Sequence, residues 1–181
     1  MKKTIRQYLE EITESVAINE GQKIEKVCAF GIKRVTEPNG WQYRRYPNLC
    51  INCFAYAFGL GESDSYRECA YDDALKEQNR QFANSNFVKF LLKHSVIYST
   101  DSVSTGDVII YCDKEGQPKH AGIVSNLSDT IRSKWGTLSI FEHEKWQVPE
   151  SYGAQVKYYK PLALEIVEEK FFQWVEKQIG P

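Results

Sequence analysis

Apolar residues change their spacing along this chain, and the order of the changes limits the folds open to it. Ile5, Tyr8, Leu9, Ile12 and Val16 recur at helical intervals with charged residues between them, which predicts an amphipathic helix over residues 3 to 17. Gly21 reads as a stop or turn, and Val27, Ala29, Phe30 and Ile32 as a short extended piece within 26 to 36, before the turn signal Pro38-Asn39-Gly40. Residues 66 to 80 are polar and compatible with a helix, and Phe87, Val88, Phe90, Leu91 and Leu92 give a stronger one starting near Ser85 or Asn86. From Val96 onward the pattern changes to short β-branched and aromatic runs separated by turn residues: Val96-Ile97-Tyr98, Val108-Ile109-Ile110-Tyr111, Ala121-Gly122-Ile123-Val124, Leu138-Ser139-Ile140-Phe141 and Val156-Lys157-Tyr158-Tyr159. Leu164, Val167, Phe171, Val175 and Ile179 then share one helical face. Helices, an antiparallel sheet and a closing helix make an α+β domain.

Its 181 residues fit one domain, and 11 Tyr, 9 Phe and 4 Trp side chains supply a substantial core. Lys and Arg total 23 against 24 Asp and Glu, so no global charge favours a polyanionic partner, and nucleic acid is not expected. No stretch approaches the roughly 20 apolar residues that span a bilayer, so no membrane partner is expected. The start, Met1-Lys2-Lys3-Thr4-Ile5-Arg6, lacks the apolar centre of a secretory signal. A cytoplasmic location is the default, with signal-independent export to another cell left open. Five cysteines cannot all pair within one chain, which fits a reduced environment and leaves at least one thiol free.

Of these thiols, Cys53 stands out. Asn52 can cap a helix whose first turn holds Cys53, with Gly59 and Gly61 marking its end, and amides at a helix start stabilise a thiolate. The small residues Ala55 and Ala57 allow that helix to lie close on a sheet. A buried structural cysteine is the plain alternative. His120 opens the strand His120-Ala121-Gly122-Ile123-Val124, which returns from Val108-Ile109-Ile110-Tyr111 through the polar hairpin Asp113 to Pro118. An imidazole there is expected near solvent, titrating in the range of a general base. Other readings stand beside this one. Cys50-Ile51-Asn52-Cys53 is also a Cys-x-x-Cys pair, compatible with a redox dithiol or half a zinc site, although no second close ligand pair exists and no metal or cofactor is expected. Trp41-Gln42-Tyr43-Arg44-Arg45-Tyr46-Pro47 is either a loop packed on the core, a cleft wall or an aromatic, basic contact for nucleic acid.

Asn52-Cys53 heading a helix, then Gly106-Asp107-Val108-Ile109-Ile110-Tyr111, then His120-Ala121-Gly122-Ile123-Val124, resembles in its order the papain-like cysteine hydrolases. The similarity is to the bacterial cell-wall endopeptidases of the NlpC type and to the cysteine, histidine-dependent amidohydrolase/peptidase domains. Ser133-Lys134-Trp135-Gly136, His143 and Val148-Pro149-Glu150-Ser151-Tyr152-Gly153 resemble a further bacterial branch of that fold. The likeness covers roughly residues 46 to 160 and leaves the amino- and carboxy-terminal helices as additions.

It implies a nucleophile helix packed on an antiparallel sheet, with Cys53 as nucleophile, its backbone amide as an oxyanion donor, and His120 as base. A third polar residue would orient the imidazole. Thr130-Ile131-Arg132-Ser133-Lys134-Trp135 places Lys134 where an acceptor is expected, and an ammonium cannot accept a proton, so His143 is the candidate, with Ser133 or Glu142 as alternatives. Tyr46, Asn52 and Trp135 would line the substrate cleft. The implied activity is hydrolysis or transfer at an amide bond of a peptide or protein, possible targets including cell-wall peptide. A non-catalytic binding module on the same fold is the alternative.

Overall fold

The computed structural model describes residues 2–36, 51–75, 82–125 and 130–179. Thr4 and Asn19 open the first two helices by the same device. Each accepts a hydrogen bond from the backbone of the glutamine three residues on, Gln7 or Gln22, whose side chain reaches back to the capping residue's amide. These boxes start α1 (Ile5–Glu14) and α2 (Glu20–Cys28). The second is a correction to the sequence reading. Gly21 is no stop but lies in the first turn of a helix, because the Asn19 and Gln22 cap outweighs its poor propensity. Only Lys33–Val35, β1, is extended there.

Asn52 caps α3 (Cys53–Ala57), which ends within about a turn and a half where Gly59 adopts φ 74°. A 3-10 turn at Leu60–Glu62 leads to α4 (Asp64–Leu75), and Asn84 caps α5 (Ser85–Lys93). The strands are β2 (Val108–Cys112), β3 (Pro118–Val124), β4 (Thr130–Lys134), β5 (Ile140–Glu144) and β6 (Gln155–Tyr159), with a 3-10 turn at Glu150–Tyr152 before β6. The chain then enters α6 (Leu164–Ile179). Val96-Ile97-Tyr98, expected as a strand, is not one; the chain touches the sheet there only through the bridge Ser99 to Tyr159.

All pairings are antiparallel, in the order β1-β5-β4-β3-β2-β6. The α+β expectation therefore holds at the level of architecture. Successive side chains of a strand point to opposite faces, and both faces here are covered. On one, Val108, Ile110, Ala121 and Ile140 meet α3, α5 and α6, with Tyr66 and Phe87 packed edge to face on Phe171 and Trp174 tilted against Phe87. On the other, Ile109, Tyr111, Ile131 and Phe141 meet Leu9 of α1, Val27 of α2 and Trp135. Each layer buries apolar area at about 25 cal/mol per Å² removed from water, so the sheet is anchored from both sides.

Gly122 is required by close approach. A Cβ built there would lie 2.7 Å from Cγ2 of Ile131 and 2.8 Å from the carbonyl oxygen of Arg132. Only glycine lets β4 come this near β3. The ladder between these two strands is also short, pairing Ile123 with Arg132 and Val124 with Ile131 and extending no further toward Ala121 and Lys134. Both strands nevertheless continue in that direction, paired to β2 and β5.

Candidate active site around Cys53

Asn52 fixes the start of α3 with three hydrogen bonds. Its Oδ1 accepts from the amides of Phe54 at 3.0 Å and Ala55 at 2.9 Å, while its Nδ2 donates to the Ala83 carbonyl at 2.7 Å. The side chain thus caps α3 and ties it to Ala83. Cys53 follows as the first residue of the helix, packed toward the α3 side of the sheet. The backbone amides of Ala121, Phe54 and Cys53 itself act on its sulfur in the direction that favours the anion. The Ala121 amide comes from the stretch of β3 where the ladder to β4 has ended.

The sequence leads one to expect the amides at the helix start to stabilise a thiolate on Cys53. Burial acts the other way and pushes the thiol up to about 11, against smaller lowering effects from the backbone amides and the Lys134 charge. A five-residue helix aligns few peptide dipoles, and desolvation of the anion outweighs them. At neutral pH the resting group is the thiol.

His120 is a correction to the sequence reading. It is the third residue of β3, is 2% exposed, and does not lie near solvent. Its ring stacks on Tyr152 with centroids 3.9 Å apart and planes at 22°, and lies 5.6 Å from the Tyr111 ring. Burial holds the imidazole well below its usual range, with the charge of His143 acting in the same sense. Its Nε2 is buried without a hydrogen-bond partner among the described residues. That is costly for a buried ring nitrogen.

Alternation along β3 places His120 among the aromatic residues of one face and Ala121 under α3 on the other. Cys53 reaches the backbone between them. Among the described residues no hydrogen bond joins its sulfur to the His120 ring.

His143 and Ser133 lie on the His120 side, both buried. Nδ1 of His143 is 2.8 Å from the Glu144 carbonyl, and Nε2 is 2.8 Å from Oγ of Ser133. A carbonyl only accepts, so Nδ1 carries the proton, and Nε2 of the neutral ring accepts from the Ser133 hydroxyl. The Trp135 indole in turn donates to that hydroxyl at 3.0 Å. Burial drives His143 down to about 4. Both its nitrogens are used, so it adjoins His120 without hydrogen-bonding it. Glu142 projects to the opposite face, where it takes Nε of Arg132 at 2.7 Å and the Ser125 hydroxyl at 3.1 Å.

Trp135 is 1% exposed and belongs to the core, so it lines no cleft. Tyr46, Cys50 and the segment Trp41 to Pro47 lie outside the described residues. Among the described residues no group of three His, Cys, Asp or Glu side chains gathers where a metal could be held, and no helix is long and apolar enough to cross a membrane.

Two residues not singled out as functional from sequence, Tyr152 and Lys134, are electrostatically linked to Cys53. Tyr152 stacks on His120, and its hydroxyl is pushed upward by burial and by the Cys53 charge. Arg6 of α1 holds the segment bearing Tyr152 through the carbonyls of Val148, Pro149 and Gly153. Lys134, 0% exposed, sits on the Cys53 side of β4 with Nζ donating to the Gly136 carbonyl at 3.0 Å. One helical turn along α3 from Cys53, Tyr56 and Arg132 border a cavity of about 320 Å³ with Ile123 and Ser125.

Residues 43–160 match the model of a domain of unknown function, DUF7689, and the chain belongs to that family. No curated protein and no solved structure matches it.

Proposed function

We propose that the chain is a thiol-dependent hydrolase or transferase acting on an amide bond of a peptide or protein, built on a papain-like version of the α+β fold. The observation that carries this reading is the placement of Cys53 at the Asn52-capped start of α3, packed on the core that includes Ala121, the residue next to an imidazole whose buried Nε2 has no partner among the described residues. Backbone amides of Ala121, Phe54 and Cys53 act there in the direction that favours an anion on the sulfur.

In this reading the resting pair is a neutral thiol and a neutral imidazole. As the Cys53 sulfur bonds to the substrate carbonyl carbon, its proton passes to His120 and the carbonyl oxygen takes the negative charge. The Cys53 amide is the donor available to that oxygen. Collapse breaks the carbon–nitrogen bond, the amine leaves with the His120 proton, and water or another amine releases the acyl group from sulfur.

A second reading, a non-catalytic binding module, is favoured by one observation: no hydrogen bond joins Cys53 to the His120 ring. A panel of peptide amides, glutamine-containing proteins and cell-wall fragments separates the two. Turnover by the wild type, lost in Cys53→Ala and His120→Ala and accompanied by a thioester adduct on Cys53 by mass spectrometry, supports the hydrolase. Turnover that persists in Cys53→Ala overturns it.

A further inference from the structure

Lys134 occupies a position where a lysine is costly. It is completely buried, yet an ammonium taken out of water pays a desolvation penalty of several kcal/mol. A residue needed only to fill space under α3 would be apolar. Its place in the sheet says what it faces. Alternation along β4 sends Ile131 and Ser133 to the His120 side and Arg132 and Lys134 to the α3 side, and Lys134 pairs across the ladder with Ile140 of the α3-side core.

The register with β3 is more specific. Ile123 pairs with Arg132, so two residues along, Ala121 and Lys134 would stand opposite each other; there the ladder is absent, and α3, which starts at Cys53, packs against both strands. Lys134 therefore lies across the strand gap from Ala121, on the face that α3 covers. Its Nζ is tethered in the same region by the Gly136 carbonyl.

We propose that Lys134 is a positioning residue of the Cys53 site, a fixed positive charge that stabilises the thiolate formed when Cys53 reacts. The inference deepens the hydrolase reading and rests on Cys53 being the reacting atom. Lys134 is then no obstacle at the third catalytic position but a cation on the opposite face, beneath α3. The direction of its charge effect on the thiol agrees, since it favours the anion. Among the described residues, the other groups acting on the thiol are the Ala121, Phe54 and Cys53 amides, with the Arg132 and Glu142 ion pair further along β4 and Tyr152, His120 and His143 on the far face of the sheet; the amides stay when Lys134 is changed.

The test reads thiolate formation without requiring turnover. Iodoacetamide modification of Cys53, located by mass spectrometry, is followed across pH in the wild type, Lys134→Met and Lys134→Arg, with the thermal transition of each recorded. The expected result is a neutral-pH alkylation rate about tenfold lower in Lys134→Met, with its pH profile displaced upward by about one unit, and a rate near wild type in Lys134→Arg. Lys134→Gln gives the same reading if the methionine variant does not fold. An unchanged pH profile in a folded neutral variant, or equal loss in the arginine and methionine variants, overturns the proposal. Failure of the amide-bond panel with the alkylation shift intact would instead remove the hydrolase reading and leave the Lys134 and Cys53 pair standing.

Discussion

The Tyr152 ring covers the His120 imidazole at 3.9 Å, beside a buried nitrogen that has no partner among the described residues. The two residues are far apart in sequence, and Arg6 of α1 fastens the segment that brings them together. Removing the ring in Tyr152→Ala opens that face. The His120 pKa, followed by proton NMR of the ring, is expected to rise toward 6.5, the value of an exposed imidazole, and the fold to lose about 3 kcal/mol. Tyr152→Phe keeps the stack and should leave the His120 titration low. Equal titration in both variants would show that the ring does not control this imidazole.

Ser133 is the hinge of a closed polar chain running from the Trp135 indole through its hydroxyl to His143. Ser133→Ala removes one acceptor and one donor at once, leaving the indole N–H and Nε2 of His143 buried and unpaired. The cost is about 2–6 kcal/mol in urea unfolding, at about one to three per orphaned group. A loss under half a kcal/mol would show that the chain is not closed as described. Ser133→Thr, which keeps the hydroxyl, should recover part of the loss.

Much of this architecture is written in apolar spacing. The runs at Val108 and Ala121 became strands whose residues bury both faces of a covered sheet, and the run at Val156 became its half-exposed edge strand. The second helix was overlooked at Gly21, although Asn19 and Gln22 three residues apart are a capping box that sequence does display. His120 was legible as a candidate but not as a buried one. Its covering rings, Tyr111 and Tyr152, come from a neighbouring strand and a distant turn, and no local pattern records them. The thiol shows the same limit, since a cap is local whereas desolvation depends on everything packed around the sulfur. Lys134 looked like a misfit until alternation along β4 assigned it to the face away from Ser133 and His143.

Gly122 sets the spacing of the strands that flank Cys53. In Gly122→Ala the new methyl would meet the Arg132 carbonyl at 2.8 Å and Ile131 at 2.7 Å, and neither contact is the free end of an exposed chain. The expected loss is about 1–3 kcal/mol by chemical denaturation. Because β4 must move away from β3, the Cys53 alkylation rate should change as well. A variant with wild-type stability and wild-type alkylation would mean that the approach is not tight.

The buried histidines make stability fall on mild acidification. His143 titrates near 4 in the fold against 6.5 when unconstrained, because charging it would strand the ring in a dry core and force the Ser133 hydroxyl to lose its acceptor. Between those values the unfolded chain binds the proton and the native chain does not. Stability therefore rises with pH there: the contribution is fully present above about 6.5 and is lost as pH falls toward 4. A shift of this size corresponds to about 3 kcal/mol from His143. His120, also held below its usual range, adds to the loss in the same direction. The carboxylate of Glu142 is held below 4.5, so its own loss belongs to lower pH, and the histidine window can be read separately. Urea midpoints measured in steps from neutral pH down to about 4.5 should decline steadily in the wild type and less steeply in His143→Gln, whose side chain keeps an acceptor but does not titrate. Parallel slopes in the two proteins would assign the decline to other groups.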